Sequence, residues 1–409
     1  MPTQPSRLRP GKRTLVTTGT LFFSTLCITG SLLTGCSGQS AAPQQSASEA
    51  QQASSQQSTP TLTDVAILRD EDFGGIYFDI TIEDFNKLGF AFGDSLDVTF
   101  SNGYELKGIP YYNGYYTKLN EPLVVGYPGY PHVKVGINFG DPLWEVAGVT
   151  KKDTATITVA EPGKFLVNQQ TFDMTYTNER SDYSSDEVFA NFRASKGGKL
   201  KDNWIYRSAS PIENDYNRAS TVSALASKAK INFILDLADS EKDIDEVLED
   251  DKQEGVDTSF FTSLRDKGDV APADLGAAYP TEDYRTSLVT ALNKMAEHDG
   301  PYLVHCTEGK DRTGFVCLLL ESLSGASYDE MLEDYMLSYD NYFGINKEAD
   351  PKGYEAIIDL RFNDMINCIA ENASDNPNSA DYVEGARTYL RSGGMTDEQI
   401  DALLAKISN

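Results

Sequence analysis

The sequence predicts an α/β protein with a mainly parallel β-sheet covered by helices on both faces, preceded by a small all-β barrel or sandwich. Beyond about residue 181, strand-like apolar runs alternate with helical patterns, as where a helix near 217–229 leads into the run 231–237. Such alternation is typical of parallel sheets with helices on both faces. Before residue 181, apolar and polar residues alternate along short segments, and Asn102-Gly103 has the signature of a hairpin turn. These patterns place the β domain at 63–180 and the α/β domain at 181–409.

The first 35 residues have the pattern of a secretory signal peptide. Four basic residues precede an apolar stretch from about 15 to 33, which is the usual order in such a signal. Residues Leu33 to Cys36 read LTGC and resemble the bacterial lipobox, which implies cleavage before Cys36 and attachment of lipid, palmitate included, to that cysteine. An uncleaved membrane anchor is the alternative, because the apolar stretch is nearly long enough to span a bilayer. In both cases we expect the protein at the cell membrane, on its extracytoplasmic face.

Residues 36–62 consist mainly of Gln, Ser and Ala, which cannot bury enough apolar surface to fold, so we expect a flexible tether. The net charge is −27 for the whole chain and near −31 without residues 1–35, which contain four basic and no acidic residues. This charge argues against nucleic acid as a partner. Three cysteines follow Cys36, too few for a disulfide framework. No His/Cys spacing indicates a metal site, and we expect no cofactor.

Alternating apolar residues at 96–100, 133–137 and 155–159 predict strands of the β domain. Its loops are rich in Tyr, Gly and Pro, as in GYPGYP at 126–131. These aromatic loops either bind a surface ligand, such as a glycan or a peptide, or pack against the ends of the domain itself.

Several helices of the α/β domain are marked by their sequence patterns. A helix near 284–297 leads into the strand before Cys306, and capping boxes begin helices at Ser327 and Thr396. The acidic run 239–251 lacks the glycine and spacing of a calcium loop, so it indicates a solvated helix face.

The stretch from His305 to Gly314, HCTEGKDRTG, is the most informative of the chain. It lies between two apolar runs, which predicts a strand, a tight loop and a helix. A loop that opens a helix directs backbone N–H groups and the positive end of the helix dipole at one point, which suits a phosphate. A cysteine there is acidified toward a thiolate, and an arginine can grip two phosphate oxygens at once.

This stretch resembles the phosphate-binding loop of the cysteine-dependent protein tyrosine phosphatases, and its GKDRTG ending is closest to a bacterial branch that includes phosphoinositide-active enzymes. Three further segments agree with the resemblance. WIYRSASP at 204–211 is similar to the family's Tyr-Arg-Ser motif, and EDYMLS at 333–338 to its Asp-Tyr-Leu-Leu-Ser segment. FILDLAD at 233–239 resembles its Asp-Leu-Arg strand, although Ala238 stands where the family usually has Arg. The resemblance covers about 181–409 and implies a tyrosine-phosphatase-like fold and a phosphomonoester hydrolase.

The resemblance also implies roles for the residues of the loop. Cys306 would attack phosphorus to form a cysteinyl-phosphate, and Arg312 would hold two equatorial oxygens. Thr313 would hydrogen-bond the leaving thiolate. Asp311 would act as the general acid. The remaining loop residues, which would bind the substrate phosphate, are Thr307, Glu308, Gly309 and Lys310.

Other roles stay open at this point. Asp236 and Asp239, at the end of the preceding strand, are reserve candidates for the general acid, and Asp283 is a weaker one. Lys310 is either solvated or favours highly phosphorylated substrates such as phosphoinositides. In dual-specificity phosphatases, a glutamate at the place of Glu308 helps to orient the arginine.

We expect a phosphorylated protein, first of all a phosphotyrosine protein, or a phosphoinositide as the substrate. An inositol-phosphate phosphatase of the phytase-like kind is the alternative. Two alternatives come from other classes of protein. One is a rhodanese-type sulfurtransferase, which also uses a cysteine in an anion-binding loop. The other is a non-catalytic surface binding module, in which the β domain binds a surface ligand and the α/β domain has lost its activity.

Overall fold

A computed structural model of the chain describes residues 59–249, 255–371 and 373–409. The strands in these ranges are β1 Thr61–Arg69, β2 Ile76–Phe78, β3 Ser95–Phe100, β4 Glu105–Tyr112, β5 Pro122–Val125, β6 Lys134–Ile137, β7 Thr154–Glu161, β8 Arg193–Ala194, β9 Ile205–Ser208, β10 Phe233–Asp236, β11 Val270–Pro272 and β12 Tyr302–His305. The helices are α1 Ile82–Lys87, α2 Leu143–Val146, α3 Leu166–Phe172, α4 Asp186–Phe189, α5 Ala219–Lys228, α6 Glu241–Glu249, α7 Ser259–Arg265, α8 Glu282–Ala296, α9 Asp311–Leu323, α10 Tyr328–Phe343, α11 Pro351–Ile357, α12 Asn363–Ile369, α13 Tyr382–Ser392 and α14 Asp397–Ile407.

The first seven strands close into a barrel in the order β1-β2-β6-β5-β4-β3-β7, so the β domain is a barrel and not a sandwich. Strands β3 and β4 form the hairpin that Asn102-Gly103 predicts, and they pair antiparallel. Gly103 has a φ of +92°, which glycine adopts at little cost, and the Asn102 side chain accepts a hydrogen bond from the N–H of Tyr104 over 3.0 Å. One face of β3 fills the barrel core, since Leu96, Val98 and Phe100 have almost no exposed surface.

Strands β8 to β12 form a second, five-stranded sheet in the order β11-β10-β12-β9-β8. Strands β11, β10, β12 and β9 pair parallel, and the edge strand β8 pairs antiparallel with β9. Strand β12 is central, and both β12 and its neighbour β10 are fully buried. Burial on both faces explains the apolar runs 302–304 and 233–235. Strand and helix alternation thus gives the mixed α/β fold that the sequence predicts.

Helix α9 follows the central strand β12 and is buried from Thr313 to Leu323. Both predicted capping boxes form. Ser327 caps α10 with Glu330, and Thr396 caps α14 with Gln399. The acidic run after Asp239 forms α6, whose only buried side chain is Ile244.

The barrel contacts the helical segment around residues 359–364. The guanidinium of Arg361 donates to the backbone oxygen of Tyr115 over 3.1 Å, and the Leu119 N–H donates to the Asp364 carboxylate over 3.0 Å. Lys118 pairs with Asp359 at 2.6 Å. Barrel and sheet therefore belong to one unit, which spans residues 57–409.

The predicted signal peptide, Cys36 and the tether up to residue 58 lie outside the described residues. Within the described ranges, no helix combines the length and the apolar composition that crossing a bilayer requires.

Candidate active site

The stretch from His305 to Gly314 forms a strand, a loop and a helix. Strand β12 ends at His305, the loop runs from Cys306 to Lys310, and α9 begins at Asp311. Cys306 is 3% exposed and lies at the base of the loop. Among the residues that the structure describes, no side chain caps the start of α9, so its first N–H groups remain available to a bound anion.

The carbonyl groups of the loop are held from outside it. The Thr307 oxygen accepts from the N–H of Ser210 over 3.2 Å, and the Glu308 oxygen accepts from the Tyr342 hydroxyl over 2.6 Å. The Gly309 oxygen accepts from Arg207 and from Asn191, both over 3.1 Å. In a trans peptide the next N–H points opposite to the carbonyl. The three N–H groups at positions 308–310 are therefore turned away from these partners, as in an anion-binding nest.

Gly309 is required by the close approach of the loop to strand β9. Its φ is +70°, in the left-handed region that residues with a Cβ avoid. A Cβ at this position would lie 2.2 Å from the backbone oxygen of Ser208. No side chain fits there without moving the loop or the strand.

Arg312, in the first turn of α9, is fixed by two hydrogen bonds. Its Nη1 donates to the Leu275 oxygen over 3.0 Å, and its Nη2 donates to the Thr307 hydroxyl over 3.1 Å. Burial lowers the pKa of the guanidinium, but the negative charges of Cys306 and Asp239 outweigh burial and raise the pKa above its ordinary value. Arg312 and Cys306 thus lie close enough in one small site to interact electrostatically.

A buried ion pair supports the loop from the sheet side. Arg207 of β9 has no exposed surface, and its Nη1 lies 2.7 Å from the Asp334 carboxylate of α10. Arg193 pairs with the same carboxylate at 3.0 Å. Burial raises the pKa of Asp334, but the two guanidinium groups outweigh this effect and hold it at about 2. The motifs YRS and EDYMLS therefore meet directly beneath the loop from Cys306 to Lys310.

Asp311 and Asp236 lie in contrasting surroundings. The Asp311 side chain is 47% exposed, and its carboxylate is 3.8 Å from the Lys310 amine. Asp236 is fully buried and accepts from the N–H groups of Ala238 and Asp239 over 3.0 and 3.2 Å. Burial raises the pKa of Asp236 to about 7.

The other two candidates for the acid are placed differently. Asp239 is 4% exposed, and its charge acts on Arg312. Asp283 is exposed in the first turn of α8.

His305 and Thr313 are buried next to the loop. His305 has no exposed surface, and its Nε2 lies 3.8 Å from the Asp236 carboxylate. Burial lowers the pKa of His305 to about 3, so the ring is neutral and a weak base. The Thr313 hydroxyl has no hydrogen-bond partner among the described residues.

Lys310 is enclosed rather than solvated. Its side chain is 13% exposed, and its amine lies 3.8 Å from the carboxylates of Glu308 and Asp311. The amine also lies 5.1 Å from the ring centroid of Phe343 and 5.5 Å from that of Tyr339, within the range of cation–π attraction. The carboxylate of Glu308 accepts from the Tyr176 hydroxyl. Arg312 instead donates its two hydrogen bonds to Leu275 and Thr307, so Glu308 is not among the groups that fix it.

The model of the tyrosine phosphatase family matches residues 189–409, which contain all of the loop. The chain belongs to this family. A tyrosine-protein phosphatase of Nostoc commune is 40% identical over 57 residues, which cover 14% of this chain and 19% of that protein. The chain thus matches about a fifth of the length of this curated relative.

Two solved structures are also similar to parts of this tyrosine phosphatase family member. The core catalytic domain of a PP-IP phosphatase from S. cerevisiae, in complex with citrate, is 19% identical with a TM-score of 0.25, and the match covers 46% of this chain and 95% of that one. An uncharacterized conserved protein from Thermotoga maritima is 21% identical with a TM-score of 0.20, over 24% of this chain and 35% of that one. At these TM-scores neither structure bears on the fold of this chain.

Several residues that shape the site of this tyrosine phosphatase family member were not assigned a role from the sequence. Arg207 and Asp334 lie in motifs that were recognised, and the signal that singles them out is a charged side chain in an otherwise apolar segment. Asn191 and Tyr342 carry no such signal. Tyr176 lies outside the matched region 189–409, so the resemblance does not reach it.

Proposed function

We propose that this protein is a phosphomonoester hydrolase that works through a cysteinyl-phosphate intermediate and acts mainly on phosphotyrosine proteins. The observation that carries the proposal is the position of Cys306. It lies at the base of a loop whose carbonyls are bonded outward, and Arg312 is fixed beside it. A thiolate, an anion nest and a guanidinium in one place are what phosphoryl transfer to sulfur requires.

In the first step, the Cys306 thiolate attacks phosphorus, a sulfur–phosphorus bond forms, and the bond to the leaving oxygen breaks. Asp311 donates a proton to that oxygen. Arg312 and the loop N–H groups stabilise the charge on the equatorial oxygens. In the second step, water attacks phosphorus and gives its proton to Asp311, inorganic phosphate leaves, and the thiolate is restored. The buried hydroxyl of Thr313 is free to hydrogen-bond this thiolate.

Asp311 is the carboxylate that we assign as the acid, because it is half-exposed at the start of α9. Asp236 has the higher pKa, about 7, which by itself suits an acid at neutral pH. However, Asp236 is fully buried and its Oδ1 is occupied by two backbone N–H groups. A carboxyl group in that position does not contact the leaving oxygen of a substrate that enters from solvent.

An aromatic rim beside the loop, formed by Tyr176, Tyr216 and Phe343, supports an aryl phosphate as the substrate. The three rings are partly exposed, and the Tyr176 ring centroid lies 5.9 Å from that of Tyr216 and 5.4 Å from that of Phe343. Ring pairs at such distances attract one another, and a phosphotyrosine ring would extend the rim.

The charges of the site favour a substrate with one phosphate over an inositol polyphosphate. One of the two roles left open for Lys310 was to favour highly phosphorylated substrates, but the carboxylates of Glu308 and Asp311 flank its amine. Asp239 and Glu213 place further negative charge near Arg312. A second or third phosphate would therefore face carboxylates at the mouth of the loop, which disfavours it.

The test is Cys306→Ser, with Cys368→Ser as the matched control. Cys306→Ser should abolish hydrolysis of phosphotyrosine peptide and of aryl phosphates while inorganic phosphate still binds. Cys368, in α12, is a half-buried free cysteine outside the loop, and its substitution should leave turnover unchanged. Undiminished turnover by Cys306→Ser would refute the assignment of Cys306 as the nucleophile.

A substrate panel completes the test. Phosphoserine peptide, phosphoinositide and inositol hexakisphosphate should react more slowly than phosphotyrosine peptide, and a thiosulfate–cyanide assay should show no sulfur transfer. Faster turnover of inositol phosphates would favour the phytase-like alternative. Absence of all turnover would favour a binding module.

We also propose that lipid on Cys36 attaches the protein to the extracytoplasmic face of the cell membrane. Support comes from LTGC at positions 33–36 and from the apolar stretch before it. Mass spectrometry of the protein from its native membrane should find a lipid-modified cysteine as the first residue. An intact signal sequence would contradict the proposal.

A further inference from the structure

Tyr176 contacts the phosphate-binding loop from a segment that precedes the matched family region 189–409. Its hydroxyl donates a hydrogen bond to the carboxylate of Glu308. Burial and the negative charge of Glu308 raise the pKa of Tyr176 far above its ordinary value, so the hydroxyl remains a donor. A residue outside the family region therefore holds a charged side chain of the loop.

The ring of Tyr176 is itself fixed. It stacks on the ring of Tyr342 with a centroid distance of 4.7 Å and an interplanar angle of 20°. Tyr342 donates to the backbone oxygen of Glu308 over 2.6 Å. Two stacked tyrosines thus hold both the carboxylate and the carbonyl group of one loop residue.

Arg218 fastens the segment that carries Tyr176. Its guanidinium carbon lies 4.9 Å from the Tyr176 ring centroid, and its amino groups donate to the Thr177 oxygen over 3.2 Å and to the Asn178 side chain over 3.1 Å. Because Arg218 is 2% exposed, these bonds lie in a region of low dielectric, where they are strong.

The same segment is tied to the barrel. The side chain of Asn113, which follows β4, donates to the Asp173 carboxylate over 2.9 Å. The ring of Phe172 stacks on that of Tyr116 at 5.1 Å. A continuous series of contacts therefore runs from the barrel through the residues before Tyr176 to Glu308.

Glu308 needs such a partner because it is a negative charge on a loop that binds anions. Its other oxygen lies 3.8 Å from the Lys310 amine. Released from Tyr176, the carboxylate would be free to accept hydrogen bonds from the loop N–H groups and to repel the incoming phosphate.

We propose that Tyr176 is a positioning residue, which holds the Glu308 carboxylate away from the phosphate site. The segment between the barrel and the family region 189–409 is then a part of the active site. The inference rests on the proposed function for its kinetic effect.

The experiment compares Tyr176→Phe in the wild-type and in the Glu308→Gln background, in the full chain. In the wild-type background, Tyr176→Phe should lower kcat/KM for an aryl phosphate on the order of tenfold and weaken inhibition by orthovanadate by a similar factor, since a hydrogen bond to a charged group is lost. In the Glu308→Gln background the same substitution should have little effect, because the neutral amide does not repel phosphate. Tyr130→Phe is the control, since it removes a hydroxyl that meets the Tyr115 hydroxyl at 3.0 Å between two loops of the barrel domain.

A structural role for Tyr176 predicts a different result. It would give the same loss in both backgrounds and a lowered melting temperature, and either wild-type-like kinetics or such an equal loss would overturn the inference. If the wild-type protein hydrolyses no phosphate ester, the proposed function fails, and calorimetric binding of orthovanadate to the four proteins of the comparison still decides the role of Tyr176. Tighter or unchanged vanadate binding in Tyr176→Phe would then refute it.

Discussion

Arg207 and Asp334 form an ion pair of 2.7 Å in which the arginine side chain has no exposed surface. The same guanidinium donates from Nη2 to the backbone oxygens of Gly309 and Lys310 over 3.1 and 3.3 Å. One arginine therefore connects the last turn of the phosphate-binding loop with helix α10. The shape of the loop depends on this buried pair, so stability and oxyanion binding should change together when the pair is broken.

Asp334→Asn should lower the free energy of unfolding by about 3–5 kcal/mol, because it removes the carboxylate with which the guanidinium groups of both Arg207 and Arg193 are paired. Urea unfolding followed by circular dichroism measures this change. Asp299→Asn, which removes an exposed partner of Lys406, is the control and should leave stability nearly unchanged. An equally small effect of Asp334→Asn would show that the pair does not support the loop.

Gly309→Ala should abolish activity, because the new Cβ would lie 2.2 Å from the Ser208 oxygen. Gly344, at the end of α10, is a matched control. It has a similar φ of +66°, and within the described part of the chain no residue beyond its immediate neighbours would come within 4 Å of a Cβ placed there. Gly344→Ala should therefore lower the free energy of unfolding only by the cost of holding a residue with a Cβ in the left-handed conformation, about 1–2 kcal/mol. Its kcat/KM should be retained. If both variants keep activity, the loop does not need the close approach.

The loop and its flanking elements were predictable because their signals are local. His305 to Gly314 combine a strand end, a glycine and a helix start in ten residues, and the structure places Cys306 and Arg312 in one site. Capping boxes and the Asn102-Gly103 hairpin are likewise short-range patterns, and both types form. The alternation of apolar residues predicted strands in the first domain, but it did not distinguish a barrel from a sandwich.

The surroundings of the loop were not predictable, because they depend on pairing across long distances in the chain. Arg207 meets Asp334 over 127 residues, and Tyr176 meets Glu308 over 132 residues. Nothing in the local sequence indicates that Arg207 will pair with Asp334 or that the Tyr176 hydroxyl will meet Glu308. Lys310 shows the consequence: its sequence position indicated a free cation beside the phosphate, and its neighbours in the fold are two carboxylates.

Asp236 and His305 should give opposite pH dependences of stability. Burial lowers the pKa of His305 from 6.5 to about 3, so its contribution to stability is present above pH 6.5 and is lost as the pH falls through 3. Burial raises the pKa of Asp236 from 3.8 to about 7, so its contribution is present below pH 3.8 and is lost as the pH rises through 7. Between about pH 4 and 6.5 the two trends should cancel.

Single substitutions should uncover each trend. Relative to the wild-type protein, Asp236→Asn should gain stability as the pH rises from 4.5 to 6.5, by up to about 1.4 kcal/mol per pH unit, whereas His305→Asn should lose it over the same interval. Urea unfolding at both pH values measures the differences. Parallel pH profiles of the three proteins would contradict the two shifts.

Asp311→Asn should slow substrates with poor leaving groups most. A general acid contributes a factor of about 10²–10⁴ when the leaving oxygen needs a proton, and little when that oxygen is already a stable anion. We therefore expect kcat/KM to fall strongly for phenyl phosphate and weakly for p-nitrophenyl phosphate, so that its dependence on the leaving group becomes steeper. The half-exposed position of Asp311 is the reason that we propose it, and not Asp236, as the carboxylate that meets the substrate.

Asp239→Asn and Asp236→Asn are the matched comparisons for this prediction, because both remove a carboxylate whose charge acts on Arg312. Without a role in proton transfer, they should change kcat/KM by the same factor for both aryl phosphates. A steeper leaving-group dependence in Asp239→Asn, together with an unchanged one in Asp311→Asn, would move the acid from the loop to the end of strand β10. The same pattern in Asp236→Asn would mean that this buried carboxyl becomes accessible when substrate binds.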